Sequence, residues 1–346
     1  MFSVNSTTMT RYLMIFGIVA ITSYIGTRFT QGLENKDNEY ELIKKYLLNE
    51  SPLYGFNRPK IWIHSKYEVN ARAFHSRNTT DLNQPYLHMT IQTIINHCGN
   101  DFNICLIDDE TFGKLIPSWD INLANVAEPM KSHYREIGML ELLYYYGGLV
   151  LPNSLICLKN LKPFFSESID GERPFICENI NKSINIMKQH NGALFSPSTY
   201  IMGAPKNNSV IKDMLNYVKQ LNQSPHFSSE MDFRGDISHW CEDNIRKGHM
   251  NLVSGQKVGV KTMKKKPILL EDLMDEEFID VSTDAVAIYI PGDDILKRTK
   301  YQWFASLSEE EIMKSKMIIS KYLKASIIDS TNEYSKSTEI PSVVSI

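Results

Sequence analysis

Residues 144–161, Tyr-Tyr-Tyr-Gly-Gly-Leu-Val-Leu-Pro-Asn-Ser-Leu-Ile-Cys-Leu-Lys-Asn-Leu, constrain the fold of this chain more than any other stretch. A periodic apolar run ends in three tyrosines and meets Gly147-Gly148. Glycine adopts the left-handed cap conformation at little steric cost, so the pair is expected to stop a helix. Leu149, Val150 and Leu151 then read as a short buried strand. Pro152 has no N–H to give to a ladder, so the strand is expected to end or fray there. Asn153 and Ser154 fall at the strand tip, and open α/β sheets place their sites outside the carboxyl ends of strands.

The flanking sequence repeats the strand–helix alternation. Ile61 to His64 reads as a first strand. Leu87, Ile91, Ile94 and Ile95 recur at helical spacing within residues 81–98. Phe102 to Ile107 reads as the next strand, closed by Asp108-Asp109. Residues 130–146 read as a long helix leading into the glycine pair. Strand, helix, strand in that order predicts a mostly parallel sheet. Further strands are expected near residues 175–177, 200–202 and 285–290. A helix over 210–221 would be capped by Asn208 or Ser209. Ser308 with Glu311 forms a capping box, and Ile312, Ile319 and Leu323 are expected to continue that helix.

Composition excludes several classes. With 346 residues, 42% hydrophobic and 22% charged, the chain is globular with ample core. A net charge of -3 leaves no nucleic-acid footprint, and Lys264-Lys265-Lys266 reads as a solvated loop. The five cysteines include no C-x-x-C pair, which argues against a zinc ribbon or thioredoxin-type site and makes them small buried hydrophobes. Nucleophile-elbow, Walker and His-Glu-x-x-His motifs are all missing. Residues 12–27 are uncharged and mostly apolar between Arg11 and Arg28, and read as a retained single-pass membrane anchor. The expected plan is a tail and anchor over 1–30, a stem over 31–57, a catalytic-type domain over 58–324, and a Ser/Thr-rich disordered tail over 325–346.

The segment Leu142 to Leu161 resembles the central motif of sugar-nucleotide glycosyltransferases of the capsular-polysaccharide, DXD sugar-binding type. Leu142-Leu143-Tyr144-Tyr145-Tyr146-Gly147-Gly148 and Leu158-Lys159-Asn160-Leu161 fit that pattern. Pro59-Lys60-Ile61-Trp62-Ile63-His64 is a second point of likeness. The sequence departs where the family carries its two aspartates: Pro152 and Ser154 stand there, with Asn153 between. The resemblance implies a GT-A-like α/β domain, a nucleotide-sugar donor and a glycan or other acceptor. Counting back from the glycines puts Arg135 and Glu136 at the family's Ser-Asp positions, and Met139 at its arginine.

On that basis Glu136, Arg135, Asn153 and Ser154 are the candidate catalytic residues. Gly147, Gly148, Asp108, Asp109 and His64 are the candidates for holding the nucleotide. No residue is assigned as a metal ligand. Neutral oxygens are poor sole ligands for a hard cation, so manganese or magnesium is expected to bind this tip weakly. Arg135, a lysine such as Lys159, or helix-end N–H groups would then stabilise the leaving diphosphate. The alternative is a catalytically inactive descendant that binds glycan or nucleotide sugar, or is structural at a membrane. Residues 232–240 read as a polar-aromatic loop suited to sugar, although Trp240 and Trp303 are more ordinarily packing residues. Asp293-Asp294 reads as a turn outside the site.

Overall fold

The computed structural model describes residues 58–65, 84–117, 119–182, 194–223, 230–334 and 343–345. The first half alternates strand and helix: β1 (Lys60–His64), α1 (Pro85–Cys98), β2 (Asn103–Ile107), α2 (Thr111–Leu115), α3 (Met130–Tyr146) and β3 (Gly148–Pro152). There follow β4 (Leu155–Cys157), α4 (Leu161–Ser168), β5 (Phe175–Ile180), β6 (Phe195–Ala204), α5 (Ser209–Gln223), α6 (Glu230–Arg246) and β7 (Asn251–Val253). The chain closes with α7 (Leu270–Met274), β8 (Ala287–Tyr289), α8 (Gly292–Lys297), α9 (Glu309–Lys314), α10 (Ile318–Tyr334) and β9 (Val343–Ser345).

Seven strands form one sheet in the order β7-β5-β6-β3-β1-β2-β9, and β4 pairs with β8 in a separate ribbon. The seven-stranded sheet is mostly parallel: β6 pairs antiparallel with both its neighbours, and every other pairing is parallel. Ile61, Trp62 and Ile63 of β1 are fully buried, as a strand covered on both faces must be. Burying one such side chain stabilises the fold by about 1.5–3 kcal/mol. One apolar cluster joins β1, β3 and β5 to α1 and α4; a second packs α1 against β8 and the helices from α7 to α10.

Gly148 sets how close β3 lies to β1. Its φ is 105°, and a Cβ there would stand 2.2 Å from the Lys60 carbonyl oxygen. Only glycine permits this approach, and it fixes the register that pairs Ile61 with Leu149 and His64 with Pro152. The strand tip predicted from the sequence thus lies inside the sheet, beside the end of β1.

Four expectations differ from what is observed. The C-terminal helix is two helices, because Ser315 turns extended (ψ 158°) after α9, and its hydroxyl donates to Ser320 Oγ at 2.6 Å. The helical path then continues to Tyr334, with Ile327 packed on the core, and β9 pairs with β2, where a disordered tail was expected from residue 325. Residues 232–240 lie within α6 rather than a loop. Residues 292–294 open α8, whose first turn carries Asp293 and Asp294 at the positive end of the helix, where carboxylates are favoured. The anchor and stem expected before residue 58 lie outside the described residues. Among the described residues, no helix is long and apolar enough to cross a membrane. All five cysteines are free and buried.

Candidate functional site

The tip of β3 is pinned on two sides. The Thr90 hydroxyl of α1 donates to the Asn153 carbonyl at 2.6 Å. The Ser154 hydroxyl donates to the Ile290 carbonyl at 2.8 Å, and the Ile290 N–H donates back to the Ser154 carbonyl at 2.9 Å. Gly292 lets α8 close on this turn: a Cβ there would meet the Tyr86 hydroxyl at 3.0 Å and Ser154 Cβ at 3.2 Å. The Pro152-Asn153-Ser154 turn is therefore a rigid corner, and rigid corners hold ligands at fixed geometry.

Above that corner lies a cavity of about 160 Å³. Its wall includes His64 from β1, Glu136 from α3, Asn153 and Ser154 from the tip, Arg234 from α6 and Asp293 from α8. Tyr200, Tyr289, Thr199 and Gln84 also line it. The Arg234 guanidinium lies over the Tyr200 ring, 4.6 Å from its centroid, a geometry in which the cation is attracted to the ring face. The Tyr200 hydroxyl sits 3.5 Å from Asp293 Oδ2. Burial, then the neighbouring Tyr200 and Asp293, push the Tyr289 phenol well above its ordinary pKa, so it stays a neutral hydrogen-bonding group. Gln84 is only 9% exposed, yet its Oε1 has no hydrogen-bond partner among the described residues. A buried acceptor left unpaired costs about 1–3 kcal/mol. The Glu136 carboxylate likewise makes no hydrogen bond or ion pair among the described residues.

Beside this cavity stands a closed charge network. Arg135 donates from Nε to Asp109 Oδ1 at 2.8 Å and from Nη2 to Asp109 Oδ2 at 2.7 Å. Its Nη1 donates to Glu128 Oε1 at 3.1 Å, and His64 Nε2 lies 3.0 Å from Asp109 Oδ1. Partial burial pushes the Asp109 carboxyl up, but the hydrogen bonds from Arg135 and His64 outweigh it and hold the group well below the usual carboxylate range.

The structure thus gathers Glu136, Asn153, Ser154 and His64 at one cavity, although the Ser154 hydroxyl is spent on Ile290. Arg135 is absent from that cavity wall and is held by Asp109. Asp109 reaches the site only through His64. Asp108 caps α2, accepting from the N–H groups of Glu110 and Thr111. Gly147 and Gly148 stand at the far end of β3, four residues from the tip, roughly 13 Å away at about 3.3 Å per residue. The Lys159 ammonium donates to the Thr283 carbonyl and is likewise absent from the wall.

Arg234, Asp293, Tyr200 and Gln84 were not picked out as the site residues from sequence. Arg234 fell within the stretch read as a sugar-binding loop, and a helix presents it instead. The one signal for Asp293 was the pair of aspartates after Pro291-Gly292, a helix-start pattern.

Carboxylates suited to a hard cation are sparse here. Among the described residues, no three of His, Cys, Asp and Glu come together to hold a metal ion. Glu136 and Asp293 share the wall with the Arg234 guanidinium.

Fold and site together define a mixed α/β protein with a cavity at the carboxyl end of its central parallel strands. No protein-family model matches the sequence, and no curated protein matches it. Among solved structures, the chain is similar to the glycosyltransferase GlyE of Streptococcus pneumoniae TIGR4, at 10% identity and TM-score 0.43, over 83% of this chain and 65% of that one. It is also similar to the bifunctional glycosyltransferase WbbM, at 8% identity and TM-score 0.46, over 84% of this chain and 53% of that one. A third likeness is to the galactosyltransferase LgtC in complex with donor and acceptor sugar analogs, at 9% identity and TM-score 0.39, over 82% and 97%. The chain thus spans about two thirds of the length of GlyE.

Proposed function

We propose that this protein is a glycosyltransferase that moves a sugar from a nucleotide-sugar donor to a hydroxyl of a glycan or other acceptor. The observation that carries the reading is the cavity over the Pro152-Asn153-Ser154 corner, where one arginine and two carboxylates face a rigid turn. In this reading the acceptor oxygen bonds to the anomeric carbon as the bond from that carbon to the phosphate oxygen breaks. The electron pair leaves with the nucleoside diphosphate. Arg234 offsets the charge that develops on the leaving group, the role a divalent cation fills when a pair of aspartates is present. Asp293 takes the acceptor's hydroxyl proton. Glu136, Asn153 and Gln84 hold the donor sugar's hydroxyls, and Arg135 acts only by fixing Asp109 and His64. An N-terminal anchor over residues 12–27 would place the reaction at a membrane.

The test is a thermal-melt screen of the full chain with UDP-, GDP- and dTDP-sugars, in EDTA and again with manganese. A ligand that binds the native state stabilises it by mass action, about 2.7 kcal/mol at a hundredfold excess over its Kd. At least one donor is expected to raise the melting temperature in EDTA. No rise under either condition overturns the transfer reading and leaves a protein without donor-binding function. A rise that requires manganese puts the positive charge on a metal rather than on Arg234.

A further inference from the structure

A second cavity adjoins the first. It shares Thr199, Tyr200, Arg234, Tyr289 and Asp293 with it, and extends over the end of β5, the start of β6, and α6 and α8. At about 170 Å³ against 160 Å³ it is similar in volume to the first. The transfer reading above has no occupant for it.

Its charged groups narrow the choice of ligand. Four cations line it, Lys182, Arg234, Lys297 and Arg298, facing the carboxylates of Glu271, Asp293 and Asp294. Lys182 and Arg298 are paired within the lining itself. Lys182 Nζ donates to Asp294 Oδ2 at 2.6 Å, and Arg298 forms a two-bond fork with Glu271. A multiply charged anion bound between those two pairs would lie against their carboxylates, and like charges at close range repel. A sugar hydroxyl does neither. Its O–H can donate to Asp294 while its lone pairs accept from Lys182, so it enters an ion pair without leaving either charge bare. Between the charged pairs stand neutral polar groups such as Ser198, and apolar surface from Pro197, Ile268 and the Tyr200 and Tyr289 rings, whose centroids are 5.7 Å apart. A ligand with a hydroxyl-bearing edge and an apolar ring face fits this lining.

We infer that the second cavity is the acceptor site and takes a neutral glycan, whose reacting hydroxyl meets the donor across Asp293. The inference rests on the transfer reading, because Asp293 is the carboxylate common to both chambers.

The experiment is saturation-transfer NMR on the full chain with neutral methyl hexopyranosides, and with methyl glucuronide as the charged counterpart. It is run on the native protein and on Asp294→Ala and Lys182→Met, which alter only the second chamber. Each sample is also melted with and without the donor that stabilises the native protein, so that a retained donor shift certifies folding and an intact first chamber. Expected is a signal from at least one neutral glycoside, reduced tenfold or more in both variants, with the donor shift kept and no gain for the glucuronide. A protein that binds donor but no neutral glycoside overturns the inference. So does a signal equal in native and variant proteins, or a glucuronide signal that exceeds the neutral one. Failure of the native protein to bind any donor overturns the transfer reading itself, and this inference falls with it.

Discussion

Two arginine–aspartate clusters stand at the carboxyl end of the sheet, and they are built differently. In the first, Arg135 grips both oxygens of Asp109, His64 bonds the same carboxylate, and Glu128 accepts from Arg135 Nη1. The Arg135 side chain is 14% exposed and lines neither of the two adjoining cavities. In the second, the Arg234 guanidinium lies over the Tyr200 ring, Asp293 Oδ2 sits 3.5 Å from the Tyr200 hydroxyl, and both residues line two cavities. The same residue types tie elements together in one place and line open cavities in the other. The difference is one of access: Arg234 and Asp293 line both cavities, and Arg135 lines neither. A carboxylate that already accepts a bidentate arginine and an imidazole has three of its roughly four acceptor sites occupied. Neighbouring helix positions sharpen the contrast: Arg135 turns into the network, and Glu136, about 100° further round α3, turns into the cavity.

The largest effect should separate the clusters by chemistry. Asp293→Asn keeps shape and removes the base, so transfer should fall by about 10²–10⁴-fold while donor binding, read by the thermal shift, persists. An unchanged transfer rate would move the base elsewhere, with Glu136 next in line.

The second prediction concerns stability. Arg135→Ala leaves Asp109 partly buried without its main partner, which should cost about 3 kcal/mol in a denaturant melt. Residual donor binding per folded molecule should stay within a few-fold of the native value. Loss of binding with unchanged stability would place Arg135 in the site after all, as its position in the motif suggests.

The smallest effect is a pH dependence. Because the folded pKa of Asp109 is depressed, its contribution to stability is present above the ordinary carboxylate pKa, and is lost as pH falls below that range. The acid limb of the stability curve should therefore flatten in Asp109→Asn relative to the native protein. Parallel curves would show that the network contributes nothing to the pH response.

How far this contrast could be read in advance depends on which interactions are local. The helix end, Gly147-Gly148, β3 and the Pro152 corner are set by neighbours in sequence, and α3 and β3 fall at residues 130–146 and 148–152, as expected. The capping box at Ser308 and Glu311 is local too, and forms. Arg234 and Asp293 reach the β3 tip across 80 and 139 residues from Ser154, through helix α6 and through a short helix whose seat depends on Gly292. Nothing within a few residues of either records that placement. The Asp109–Arg135 pair, 26 residues apart, was equally hidden, and so both members stood as site candidates.

The most direct test of the central claim, that the cavity over the β3 tip holds the donor diphosphate through Arg234 rather than Arg135, is calorimetric titration of the stabilising nucleotide sugar into the full chain in EDTA, native and Arg234→Met. Charge-assisted hydrogen bonds contribute about 1.5–3 kcal/mol, so the variant should bind roughly 10- to 100-fold more weakly while melting within a few degrees of the native protein. Equal affinity in the two proteins, with the variant fully folded, would contradict the claim.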